Sequence, residues 1–163
     1  IRKYLSFCME IQTISSERDV MKDKEIIEVR SEDETRILAE KLASEVAGGT
    51  VIALEGELGA GKTTFTKYFA HALGIEEMIQ SPTFTVVRSY DEGKFSLHHF
   101  DVYRVHDEEE LFEIGFFEYI ESSDGVCLIE WANLVKDLLP TDAWSIHIGY
   151  GERENERIFE ILR

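Results

Sequence analysis

Eight consecutive residues, Gly56-Glu57-Leu58-Gly59-Ala60-Gly61-Lys62-Thr63, fit the pattern G-x-x-x-x-G-K-[ST]. Glycines at these spacings let the backbone turn so that successive N–H groups point inward at anionic oxygens. A helix opening just after the turn adds its positive end. Lys62 supplies a mobile charge for β and γ phosphates, and the Thr63 hydroxyl can ligate Mg²⁺. A glycine turn that only joined a strand to a helix would need neither Lys62 nor Thr63. The segment therefore reads as a phosphate-binding loop.

Such a loop requires an acid near the metal, normally at the carboxyl end of a neighbouring buried strand. Two residues qualify. Glu130 follows the apolar run Val126-Cys127-Leu128-Ile129, where a surface charge would be out of place, and is the stronger metal ligand. Asp101 follows Leu97-His98-His99-Phe100 and could equally be a strand-end cap. His98 and His99 look like a metal pair, but adjacent strand residues point to opposite faces. His99 shares a face with Asp101, where it would support the site or serve as a hydrogen-bonded core residue. Trp131 is open to a plain packing role, and Glu108-Glu109-Glu110 to the acidic first turn of a helix. The guanine-reading Asn-Lys-x-Asp element does not occur, nor does an Arg-rich lid of the small-molecule kinase type.

The elements that must hold these residues follow from patterning. Glu25 to Val29 reads as a first strand. Ser31 with Glu34 reads as a capping box for a helix running to about Ala47, stopped by Gly48-Gly49. Thr50 to Leu54 is a strand covered on both faces. Phe65, Tyr68, Phe69, Ala72 and Leu73 form a helical stripe ended by Gly74. Thr83 to Tyr90 and Lys94 to Val102 read as strands joined through Asp91-Glu92-Gly93 in a hairpin. A short helix is expected from Asp107 to Phe112, then strands at Val126–Ile129, Trp144–Tyr150 and Arg157–Leu162. The expected fold is α/β, a P-loop NTPase-like mixed sheet flanked by helices, with an antiparallel hairpin insertion. Residues 1–20 read as an extension outside the fold and 21–163 as a single P-loop ATPase domain.

Composition bounds the function. With 163 residues, 44% hydrophobic and 11% aromatic, one globular domain is expected. No apolar run approaches the roughly 20 residues that span a bilayer, so no membrane partner is expected. Two distant cysteines, Cys8 and Cys127, make no disulfide framework, and the expected compartment is the cytoplasm. A net charge of −16 repels phosphate backbones, arguing against direct binding of DNA or RNA.

Five segments occur in a distinctive order: Gly56 to Thr64, Ser81-Pro82-Thr83-Phe84-Thr85, His99-Phe100-Asp101-Val102-Tyr103-Arg104, Glu109-Glu110-Leu111 with Gly115, and Leu128-Ile129-Glu130-Trp131. In that order and spacing, over about Glu25 to Leu162, the chain resembles the TsaE (YjeE) family. Val102 replaces the family's leucine. The resemblance implies a Mg²⁺-dependent ATPase that works with TsaD and TsaB. Those proteins install threonylcarbamoyl on the adenosine beside the anticodon, so tRNA would be met only indirectly. It also implies roles by position: Lys62 and the loop residues Glu57, Leu58, Gly59, Ala60, Gly61, Thr63 and Thr64 on ATP phosphates, and Thr63 and Glu130 on Mg²⁺. Asp101 would orient the attacking water, and Thr83 would lie in a switch-like loop. Trp131 would sit beside the nucleotide, and Glu32 near the adenosine. A small-metabolite kinase and a nucleotide-dependent binding module without hydrolysis are the alternatives.

Overall fold

The computed structural model describes residues 23–163, so the expected extension at 1–20 lies outside the described residues. The elements are β1 (Lys24–Val29), α1 (Glu32–Glu45), β2 (Val51–Gly56), α2 (Lys62–Ala72), β3 (Val87–Tyr90), β4 (Ser96–Asp101), α3 (Glu108–Glu113), α4 (Phe116–Glu121), β5 (Gly125–Glu130), β6 (Trp144–Tyr150) and β7 (Arg157–Leu162). Two 3₁₀ turns, Ala132–Leu134 and Lys136–Leu138, follow β5.

The strands form one sheet in the order β1-β7-β6-β2-β5-β4-β3. Its centre is parallel, with β5 pairing both β2 and β4, and β2 also pairing β6. Antiparallel pairs close both edges: β3 on β4 at one side, β6–β7–β1 at the other. All six residues of β5 are buried, which explains why that strand reads as an unbroken apolar run rather than an alternating one. The sheet has a layer on each face. Leu97, Val126, Leu128, Ile52 and Leu54 pack with Leu38, Leu42, Phe65 and Phe69 of α1 and α2. Phe100, Cys127, Ile129, Val51 and Ala53 pack with Leu111 and Phe116 of α3 and α4.

Helix α1 starts on side-chain chemistry. The Ser31 hydroxyl accepts from Glu34 N at 3.2 Å. Glu34 returns not to the cap itself but one residue further, accepting from Arg30 N at 2.8 Å. The α2 stripe is shifted from expectation. Lys62, Phe65, Thr66, Phe69 and Ala70 are buried within the helix, while Ala72 faces solvent and Tyr68 is half-buried. The buried set keeps the i, i+3, i+4, i+7, i+8 spacing but begins at Lys62, drawing a lysine and a threonine onto the inner face.

The run from Thr83 to Tyr90 is strand only from Val87. Before it the chain turns on Pro82, whose carbonyl accepts from Thr85 N at 3.1 Å and Val86 N at 2.7 Å. Val86 is left-handed at φ 65°, an unfavourable state for a β-branched residue. The β propensity of Thr83–Val86 is overridden because this turn must deliver Ser81 and Thr83 to Asp101. Helix α4 was not expected from the sequence.

Candidate functional site

Three neighbouring parallel strands end together. The register pairs Leu54 of β2 and Asp101 of β4 with Glu130 of β5. Leu54, Glu130 and Asp101 thus lie side by side at the carboxyl edge of the sheet, with Gly56 two residues further along β2, where ligands bind in open α/β sheets. Even-numbered residues of β5 and odd-numbered residues of β4 share the face toward α2. Glu130, Asp101 and His99 therefore all project toward the loop.

The loop's backbone is dictated locally. Gly56 has φ +147°, and a Cβ there would lie 2.6 Å from Ile148 O of β6. Gly61 caps α2 at φ 107° with open space around it, so conformation rather than crowding demands glycine. Two residues not singled out in the sequence hold the loop from β6 and β7. Tyr150 Oη donates to Leu58 O at 2.8 Å, and Arg157 Nε donates to Ala60 O at 2.9 Å.

Lys62 is 5% exposed, and its ammonium donates to Gly56 O at 2.6 Å and Glu57 O at 2.9 Å. Burial pushes its pKa below the ordinary lysine value, and the Glu130 and Asp101 charges oppose that shift. Nζ also stands 3.9 Å from the centroid of the Trp131 ring. Trp131 is left-handed at φ 63° and half-buried, with the Tyr103 ring 4.8 Å away. Its indole both packs and roofs the lysine, so the packing and site readings are not exclusive.

Thr63 Oγ1 donates to Glu130 Oε2 at 3.2 Å, across 67 residues of sequence. Glu130 Oε1 lies 2.8 Å from His99 Nε2. His98 points the other way, onto Ser89 at 2.8 Å and the Tyr119 ring at 4.6 Å, as strand alternation requires. Asp101 is not bare. Its Oδ2 accepts from Ser81 Oγ at 2.8 Å and Thr83 Oγ1 at 2.7 Å, and its Oδ1 from Tyr103 N at 3.1 Å. Asp101 and Thr83, to which the resemblance gave separate roles, are thus joined by a direct bond, and Ser81, which sequence reasoning did not assign, shares it.

One cleft of about 360 Å³ gathers these groups; Lys62, Thr63, Thr64, Thr83, Asp101, Glu130 and Trp131 line it. Arg104, stacked 4.6 Å from the exposed Phe84 ring, stands on its rim. Glu32 is not in this cleft. It lines an adjoining hollow with Gly59, Gly61, Thr64 and Arg157, and accepts from Tyr68 Oη at 2.5 Å. The loop runs between the two spaces.

The donor set fits Mg²⁺. Thr63 and Glu130 offer two hard oxygens, as suits an ion that takes its remaining ligands from phosphate and water. No group of three or more His, Cys, Asp or Glu among the described residues could form an all-protein metal cage. No helix among them is long and apolar enough to cross a membrane.

A glycine loop between a buried parallel strand and a helix, with an acid on the adjacent strand, defines a P-loop NTPase-like protein. The profile of the family "Threonylcarbamoyl adenosine biosynthesis protein TsaE" matches residues 29–159. The chain belongs to the TsaE family. The tRNA threonylcarbamoyladenosine biosynthesis protein TsaE of Bacillus subtilis is 47% identical over 125 residues, 75% of this chain and 77% of its own. The Rickettsia felis protein of that name is 34% identical over 135 residues, 82% of this chain and 77% of its own. A crystal structure of Bacillus subtilis YdiB superposes with a TM-score of 0.74 at 37% identity, covering 87% of this chain and 86% of that one.

Proposed function

We propose that this chain is a Mg²⁺-dependent ATPase that supports the TsaD–TsaB threonylcarbamoyl transferase acting on tRNA in the cytoplasm. The observation that carries the reading is the convergence of Lys62, Thr63, Glu130 and Asp101 on one cleft above the glycine loop.

Each group suits a step. An ammonium has three donors; two of those of Lys62 go to Gly56 and Glu57 carbonyls, leaving one for phosphate. Loop N–H groups between Glu57 and Thr64, other than that of Ala60, which donates to Glu57 O at 3.1 Å, would cradle the remaining phosphate oxygens. Thr63 and Glu130 would hold Mg²⁺, which when bound neutralises charge developing on the transferred phosphoryl group. Asp101 and Thr83 together present oxygen acceptors that can orient a water in line with the γ-phosphate. Since Asp101 already holds Ser81 and Thr83, water capture and the position of the 81–86 turn are linked. Trp131 closes the cleft beside Lys62, and Glu32 faces the hollow across the loop, where the nucleoside would lie.

A metabolite kinase would share the loop, and a binding module would share the affinity. The buried Asp101, 3% exposed beside the phosphate cleft, favours hydrolysis over both. The test is ATP turnover by the chain alone and mixed with TsaB and TsaD. Partner-stimulated phosphate release is expected. Phosphorylation of a small acceptor, or no release under either condition, would overturn the reading.

A further inference from the structure

The proposed reaction needs no imidazole at His99, yet a fully buried one (0% exposed) sits in the middle of β4. Leu97, two residues before it on the same face, and Phe100, next to it, are equally buried and purely apolar. If His99 only filled space, a similar apolar residue would serve without a polar cost. A cost is present: Nδ1 is buried with no hydrogen-bond partner. Buried polar atoms are almost always paired, and an exception calls for a cause.

The cause is at the other nitrogen, 2.8 Å from Glu130 Oε1. With the proton on Nδ1, the Nε2 lone pair would face a carboxylate oxygen at that distance, which is repulsive. A proton on Nε2 instead makes one good bond to the carboxylate, at the cost of leaving Nδ1 unpaired. Glu130 is itself 2% exposed, and its two oxygens are divided: Oε1 to His99, Oε2 to Thr63 at 3.2 Å.

We infer that His99 is the positioning residue of the metal centre: its Nε2–H holds Oε1 of Glu130 and thereby presents Oε2 beside the Thr63 hydroxyl. This rests on the reading of Thr63 and Glu130 as Mg²⁺ ligands. A carboxylate without that bond could turn about its terminal torsion and would meet the ion in several orientations. Partners behind metal ligands commonly contribute 10–100-fold in affinity.

The experiment is ADP binding by calorimetry, with and without Mg²⁺, on the wild type, His99→Leu, His99→Gln and Glu130→Ala. Glutamine places an amide N–H near the position of Nε2. His99→Leu should weaken the Mg²⁺-dependent part of binding about 10–100-fold while metal-free ADP binding stays within about twofold. His99→Gln should recover most of the loss. Wild-type Mg²⁺ affinity in His99→Leu, with Glu130→Ala impaired, would overturn the role of His99 alone. Wild-type affinity in Glu130→Ala would overturn the metal centre itself. Equal losses with and without Mg²⁺ in His99→Leu would mark the residue as structural and overturn the proposal. Should His99→Leu not fold, ¹⁵N spectra of the wild-type imidazole decide: a proton on Nε2 is expected, and one on Nδ1 would overturn the proposal.

Discussion

Removing the Lys62 ammonium separates the fold from the chemistry. Lys62→Ala deletes two hydrogen bonds, to Gly56 O at 2.6 Å and Glu57 O at 2.9 Å, and the contact with the Trp131 ring. It also abolishes the burial cost that pushes the amine's pKa down. The freed carbonyls line a cleft that water can enter, so the opposing effects should leave stability changed by about 1 kcal/mol or less. Nucleotide binding has no such compensation. A charge-assisted contact to phosphate in a partly dry site contributes about 2–3 kcal/mol, which corresponds to a loss of roughly 30–150-fold in affinity. Turnover should fall further, because charge grows on the phosphoryl oxygens in the transition state. Calorimetry with Mg²⁺ and a non-hydrolysable ATP analogue, phosphate release with TsaB and TsaD present, and urea unfolding measure the three quantities. A Lys62→Ala protein with an unchanged urea midpoint, normal affinity and normal turnover would refute the phosphate-binding assignment.

Glu130→Ala should weaken nucleotide binding only when Mg²⁺ is present, whereas Asp101→Asn should leave binding near normal and lower turnover; nucleotide titrations with matched hydrolysis assays would reveal misassigned roles if both variants lost binding equally. Because a net charge of −16 repels tRNA, the chain with a non-hydrolysable ATP analogue should displace labelled tRNA from a preformed TsaD–TsaB pair. Full simultaneous occupancy would contradict that. Burial pushes the Cys127 thiol up to about 12 from 9.0, so the folded state keeps a proton that the unfolded chain releases above pH 9. Stability from this group is complete below pH 9 and declines by about 1.4 kcal/mol per pH unit as pH rises toward 12. Urea midpoints of the wild type and Cys127→Ala at pH 8 and 10.5 should therefore converge as pH rises, and parallel lines would count against it.

The local parts of the fold were legible from residue patterns. Glycine spacing, an apolar run before it and a helical stripe after it specify a phosphate loop, because backbone freedom and hydrophobic period are properties of short segments. The unbroken Val126–Ile129 run marked a strand buried on both faces, and an acid directly after it could be assigned to the site. Strand alternation separated His98 from His99 correctly. Tertiary structure alone decided which ends meet. The Thr63–Glu130 bond spans 67 residues and the Arg157–Ala60 bond 97; both depend on strand order and register, which no local pattern encodes. The turn at Thr83–Val86 was misread as strand because β-branched residues favour extension locally, while Asp101, 18 residues on from Thr83, holds its hydroxyl at 2.7 Å. The same holds for His99. Its face was legible from a period of two, but its partner depended on β4 lying parallel to β5 with Asp101 opposite Glu130.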